Sequence, residues 1–104
     1  MQVIQAENLK EIAQNILQAA GAPEDIATNV AHSLVESNLY GHDSHGVILL
    51  IKYVSKIRSQ DLIPTARPEI GERNGSTATV NSNWGFGHIS ACFGVDLACE
   101  IASE

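Results

Sequence analysis

With 104 residues, 44% hydrophobic and 17% charged, the chain is long enough for one small domain with a true core and no more. Its net charge is −6, with carboxylates spread along the sequence and a basic bias only at Lys52, Lys56 and Arg58, which speaks against a nucleic-acid or anionic-membrane partner. No apolar run reaches transmembrane length, and Met1-Gln2-Val3-Ile4-Gln5 lacks the basic-then-apolar order of a signal peptide, so the expected location is the cytoplasm.

From about Ala6 to Ala20, Leu9, Ile12, Ala13, Ile16, Leu17 and Ala20 recur at helical spacing, while Lys10, Glu11, Gln14 and Asn15 take the opposite face. Gly21 stands where a helix stops. Pro23 suits the first turn of a second helix, with Glu24 and Asp25 near its positive end. That helix carries Ile26, Ala27, Val30, Ala31, Leu34 and Val35 on one stripe and runs to about Asn38 or Leu39. His32 lies off the stripe, on the solvent side.

Gly41 breaks the pattern. A third helix is expected to start at Asp43 or Ser44, either of which can cap it, and to end near Arg58 or Ser59. Val47, Leu50, Ile51, Val54 and Ile57 supply its apolar stripe. Pro64 and Pro68 then frame an extended connection. The period changes from Glu69. Glu69 to Arg73 and Thr77 to Val80 form a hairpin pattern around the turn signal Asn74-Gly75. Trp84-Gly85-Phe86-Gly87 leads into a last helix carrying Ile89, Cys92, Phe93, Val95, Cys99 and Ala102. The absence of a stop signal before Glu104 suggests a piece of something longer. Seven helical residues would set the two cysteines about 10 Å apart, beyond the roughly 7 Å reach of a disulfide. Buried free thiols are expected.

Tyr40-Gly41-His42-Asp43-Ser44-His45-Gly46 concentrates two of the four histidines, a carboxylate, a hydroxyl and two glycines between amphipathic segments. If a helix begins here, its free N–H groups make a site for a carboxylate or phosphate, with a histidine available for proton transfer near neutral pH. Gly46 would then let a ligand approach closely. A capped helix start with surface histidines explains the same residues without a ligand. His42 and His45 are three apart, but no further Cys or His cluster completes a shell, and no metal is expected. Gly85-Phe86-Gly87-His88-Ile89-Ser90 follows a strand and opens a helix. Ser90, however, occupies the third glycine's place of a dinucleotide fingerprint and no βαβ unit follows. The preferred reading is a glycine turn that packs Trp84 and Phe86 against the helices. Lys52 and Lys56 fall roughly on one face with His45 and Leu49, either to attract an anion or as a solvated face.

Asn38-Leu39-Tyr40-Gly41-His42-Asp43-Ser44-His45-Gly46-Val47, followed by Lys52-Tyr53-Val54, resembles the N-terminal signature of the malate/L-lactate dehydrogenase-like oxidoreductases. This family is distinct from the Rossmann lactate and malate dehydrogenases. Ala19-Ala20-Gly21, Pro23-Glu24 and Gly85-Phe86-Gly87 agree, so the resemblance covers essentially the whole chain. The His-Asp-Ser-His-Gly variant is most similar to the hydroxycarboxylate dehydrogenase branch. The resemblance implies NAD or NADP as cofactor, a small 2-hydroxy acid or 2-oxo acid as substrate, and a homodimer when complete. It implies that His45 is catalytic and meets both substrate and nicotinamide, and that Ser44 lines the substrate pocket. Many members carry an arginine four residues after this histidine, where it can clamp a carboxylate. Here that position is Leu49, which leaves the carboxylate anchor unassigned.

Family members are several times longer, so the resemblance implies an α/β protein seen here in part. Residues 1–64 would be an N-terminal three-helix region carrying the motif. Residues 65–104 would be the start of a mixed-sheet domain, apparently truncated, with most of the cofactor site outside the chain. The rival reading is a non-catalytic helical interaction module or remnant of that family.

Overall fold

In the computed structural model, which describes residues 3–104, four helices and one hairpin follow in the order α1 (Ala6–Ala19), α2 (Glu24–Leu39), a 3-10 turn (Asp43–His45), α3 (Leu49–Arg58), β1 (Glu69–Asn74), β2 (Thr77–Asn81) and α4 (Gly87–Ala102). Met1 and Gln2, which open the N-terminal stretch considered above, lie outside the described residues. The class is mixed α/β, as the family resemblance implies.

The apolar stripe foreseen on α2 is buried at all six positions, Ile26, Ala27, Val30, Ala31, Leu34 and Val35. α2 is the hub, with α1 packed on it, α4 also against it, and the 3-10 turn near its C-terminal end. α1 contributes Ala13 and Leu17, α3 contributes Leu50, and the connection and the pre-α4 loop contribute Leu62 and Phe86. Phe86 meets Tyr53 edge-to-face at 5.5 Å between centroids, a favourable aromatic geometry that ties α3 to the start of α4.

α1, α2 and α3 stop in the same way. Gly21, Gly41 and Gln60 take φ of +113°, +86° and +66°. In each case the following residue's N–H reaches five residues back: Ala22 to the Leu17 carbonyl, His42 to Ser37, Asp61 to Lys56. This pattern satisfies the last carbonyls of a helix, and glycine adopts the required left-handed conformation without cost. Gln60 does the same with a Cβ, which the sequence gives no reason to expect.

The hairpin is antiparallel, pairing Glu69 with Asn81, Ile70 with Val80, Arg73 with Ala78 and Asn74 with Thr77. The two-residue loop is therefore Gly75-Ser76, one position later than the Asn74-Gly75 signal, with Gly75 at φ +59°. Between Ile70 and Arg73 the register slips. There the Glu72 N–H turns to the Thr79 hydroxyl at 2.9 Å, and a bulge results. An open groove of about 550 Å³ lies between the hairpin and α4, lined in part by Ala78, Val80, Leu97 and Ile101.

Several inward assignments need correction. Ile51 is 77% exposed, while Leu49 and Tyr53 pack against the core instead. Because α3 begins only at Leu49, its inward stripe is set by Leu50, Tyr53 and Ile57. Ile12 and Ile16 lie partly in solvent on the flank of α1. Only half of the aromatic pair before α4 is inside: Phe86 is buried and Trp84 is 75% exposed. Cys92 and Cys99 are free as foreseen, but both are exposed rather than buried, because α4 turns Leu97 and not the cysteines inward. Among the described residues, no helix is long and apolar enough to cross a membrane.

Candidate functional site

The His-Asp-Ser-His-Gly stretch does not open an α-helix. Asp43, Ser44 and His45 form a single 3-10 turn, and α3 starts at Leu49 with no side-chain cap. The reason is visible in the hydrogen bonds. The Asp43 carboxylate, which would have capped a helix, instead accepts from Asn38 Nδ2 at 2.7 Å. The oxygen of the same carboxamide accepts the Val47 N–H at 2.9 Å. Gly46 then swings into extended backbone, φ −95° and ψ −152°, so the helical run restarts beyond it. A three-residue turn offers no helix N-terminus, and the anion site foreseen on that basis is not formed.

Asn38 is the residue that sequence reasoning missed. It sits in the last turn of α2 and clamps both ends of the motif, Asp43 before it and Val47 after it. Its side chain lies directly over Gly46: a Cβ there would overlap the Asn38 carboxamide. The room beside Gly46 is therefore filled by the protein, not left for a ligand, and Gly46 is buried. The available sequence signal was a hydrogen-bonding side chain one turn before a loop rich in polar groups and glycine.

Within the turn, His45 N–H donates to the His42 carbonyl at 2.9 Å and Gly46 N–H to the Asp43 carbonyl at 3.1 Å. Ser44 Oγ lies 3.0 Å from His45 Nδ1. His42, Asp43, Ser44 and His45 are all exposed, so the His45 ring is held at one nitrogen and open to solvent on a backbone fixed from both sides. When Nδ1–H donates to the serine oxygen, Nε2 presents a lone pair outward; when the serine O–H donates to Nδ1, Nε2 presents a proton. The pair can serve as base or acid.

Other candidates fall elsewhere. Lys52 and Lys56 are exposed on α3, but His45 precedes that helix and Leu49 packs against the core, so the four do not share one helical face. His32 pairs with Glu36 along α2 at 3.4 Å, on the solvent side as foreseen. Gly85-Phe86-Gly87 leads from an antiparallel hairpin into α4 without a parallel strand. Among the described residues, no group of three or more His, Cys, Asp or Glu side chains converges on a metal position. Burial of Tyr53 against the core raises its phenol above the usual value.

Comparison with known proteins gives a consistent result. The family described as "Malate/L-lactate dehydrogenase" matches residues 4–104. The L-sulfolactate dehydrogenase of Methanothermobacter thermautotrophicus is 32% identical over 99 residues, 95% of this chain and 29% of that protein. Hydroxycarboxylate dehydrogenase B of Escherichia coli O157:H7 is 29% identical over 99 residues, 95% of this chain and 27% of that protein. The crystal structure of malate dehydrogenase from Entamoeba histolytica superposes with a TM-score of 0.90 at 29% identity, covering 98% of this chain and 28% of that one. The chain thus spans under a third of the length of the relatives it matches.

Proposed function

The chain belongs to the malate/L-lactate dehydrogenase family, and on that footing we propose that it forms the N-terminal part of a dehydrogenase. The enzyme would move a hydride between a nicotinamide cofactor, NAD or NADP, and a small 2-hydroxy acid or its 2-oxo acid. The observation that carries this reading is the exposed Ser44–His45 pair, 3.0 Å apart, on a turn that Asn38 fixes from both sides. Residues 1–64 are the helical region that presents this pair. Residues 65–104 open the sheet-containing domain, and two copies of the complete protein form a homodimer in the cytoplasm.

The exposed imidazole fits contact with a nicotinamide ring and a substrate hydroxyl at once, whereas most of the cofactor site falls to the parts of the family fold outside this chain. NAD or NADP, when bound, supplies the hydride acceptor for oxidation. The chain's own contribution concerns the proton and the substrate. His45 Nε2 takes the proton of the carbinol hydroxyl and returns it in the reverse direction. Ser44 Oγ accepts from Nδ1–H, fixes that tautomer and faces the substrate beside the ring. Leu49 packs into the core and leaves the substrate carboxylate to another part of the fold.

The test is a chimera in which this chain replaces the matching segment of the E. coli hydroxycarboxylate dehydrogenase B, assayed for nicotinamide reduction with a panel of 2-hydroxy acids. The expected result is an active chimera whose turnover falls by at least about a hundredfold with His45→Ala, within the range of a lost general base. Unchanged turnover in a folded His45→Ala chimera sinks the assignment.

A further inference from the structure

α4 carries two exposed thiols in unlike surroundings. His88 and Cys92 are one helical turn apart, and His88 Nε2 lies 3.6 Å from Cys92 Sγ, within hydrogen-bond reach of a sulfur. In the primary sequence His88 is remote from the motif histidines, and the helix gives it this partner. Cys99, two turns further along the same helix, is equally free and exposed, but its neighbours at one turn are Val95, Asp96, Ala102 and Ser103, with no imidazole among them. Asp96 stands one turn from both cysteines, so its charge does not distinguish them.

We propose that Cys92, with His88 as its proton acceptor, is a site of thiol–disulfide exchange with small disulfides, and that Cys99 is not. The thiolate is the attacking species in such exchange, so a base within reach of the thiol and solvent access to the sulfur are the two requirements. Cys92 meets both. In the step, the Sγ–H proton passes to His88 Nε2 and the sulfur attacks one sulfur of the incoming disulfide. The S–S bond breaks, and the departing thiolate takes the proton from the imidazolium. Cys92 is oxidised to a mixed disulfide, and the small disulfide is reduced by one thiol equivalent. No further oxidant is needed. The modification would place a new group on the solvent face of α4, away from the buried Leu97 that packs the helix.

The experiment uses the 104-residue chain, reduced, with uncharged dithiodipyridine as the probe, so that neither Asp96 nor Glu100 biases the encounter by charge. Cys99→Ser and Cys92→Ser isolate each thiol, and release of the chromophoric thione reads the rate. At neutral pH Cys92 should react at least roughly tenfold faster than Cys99, a modest share of what a positioned base supplies. His88→Gln should bring Cys92 down to the Cys99 rate and leave Cys99 itself unchanged; a general loosening of the helix would accelerate both. Peptide mass mapping of the singly modified wild-type chain should find the label on Cys92. Equal rates for the two thiols, or a Cys92 advantage that survives His88→Gln, overturns the proposal.

Discussion

The α1–α2 pair and the β1–β2 hairpin differ in where their side chains find partners. In the helical pair the apolar periodicity is answered inside the chain: Leu17, Ile26, Val30 and Val35 are fully buried, and both helices end in glycine turns that satisfy their own carbonyls. In the hairpin every residue of β1 is exposed, and β2 turns only Ala78 and Val80 partly inward, over the groove against α4. The hairpin is held by its turn, its bulge and an Arg73–Glu104 ion pair. Helical packing here is self-sufficient, whereas two strands alone cannot enclose a face of their own. Stability should be distributed accordingly.

The largest expected effect breaks the helical side of that contrast. Leu17→Ala empties a fully buried site and should cost about 2–5 kcal/mol, enough to unfold much of a domain this small. Ile70→Ala, in the exposed β1, should stay within about 0.5 kcal/mol. Denaturant melts of the two variants make the comparison directly. Native-state hydrogen exchange should show slow α1 and α2 amides beside fast hairpin amides. A Leu17→Ala variant that melts like Ile70→Ala would show that the helical pair is not the centre of stability.

The same contrast explains what was legible in the sequence. α2 could be read residue for residue because all six of its stripe positions face neighbours supplied by the chain itself. The hairpin was legible from its turn signal, although the loop sits one residue later than Asn74-Gly75 and the bulge opposite Thr79 left no pattern to see. The motif is plain in the sequence, but its geometry is not. Asp43 and Ser44 look like helix caps by residue type, and only the placement of Asn38 one turn before the loop hints that a carboxamide captures Asp43. That capture moved the start of α3 to Leu49 and rotated the expected stripe, so Ile51 faces out and Tyr53 faces in. The exposure of the cysteines is not legible because α4 is apolar on several faces, and composition alone does not say which face meets α2.

A middle-sized effect is expected where the helical core hands over to the candidate site. Gly46→Ala drives a methyl into the Asn38 carboxamide. The side chain must leave, and with it go its bonds to Asp43 and Val47. The cost should be about 1–3 kcal/mol, the usual range for overpacking. A double-mutant cycle sharpens the point. Asn38→Ala removes the obstruction, so Gly46→Ala should cost at least about 1 kcal/mol less in that background, a coupling expected of residues in contact. Additive costs in thermal melts would mean that Gly46 is required for some reason other than Asn38. In the chimera, Gly46→Ala should also lower turnover, since the Ser44–His45 pair loses the clamp that fixes its turn.

The smallest expected effect lies on the seam between the two regions. Arg67, two residues before β1, forms a two-pronged pair with Asp25 in the first turn of α2, at 2.8 and 3.0 Å. The guanidinium hydrogen bonds hold the Asp25 carboxyl below the ordinary aspartate value of 3.8, and the same pairing raises Arg67. A carboxyl lowered in the folded state favours folding above its unfolded pKa, and that contribution is lost as pH falls through the folded value. Both side chains are exposed, so solvent and salt screen the pair and the global melt should hardly move with it. The local signal is the informative one. Carboxyl-carbon NMR should place the Asp25 titration below 3.8 in the wild-type chain, and Arg67→Gln should return it to the ordinary range. On acidification, amide protection should fall first at the α2–β1 seam while the centres of α1 and α2 keep theirs. If protection were lost from both regions together, the hairpin would be as firmly joined to the core as the helices are to each other, and the division between the two would fail.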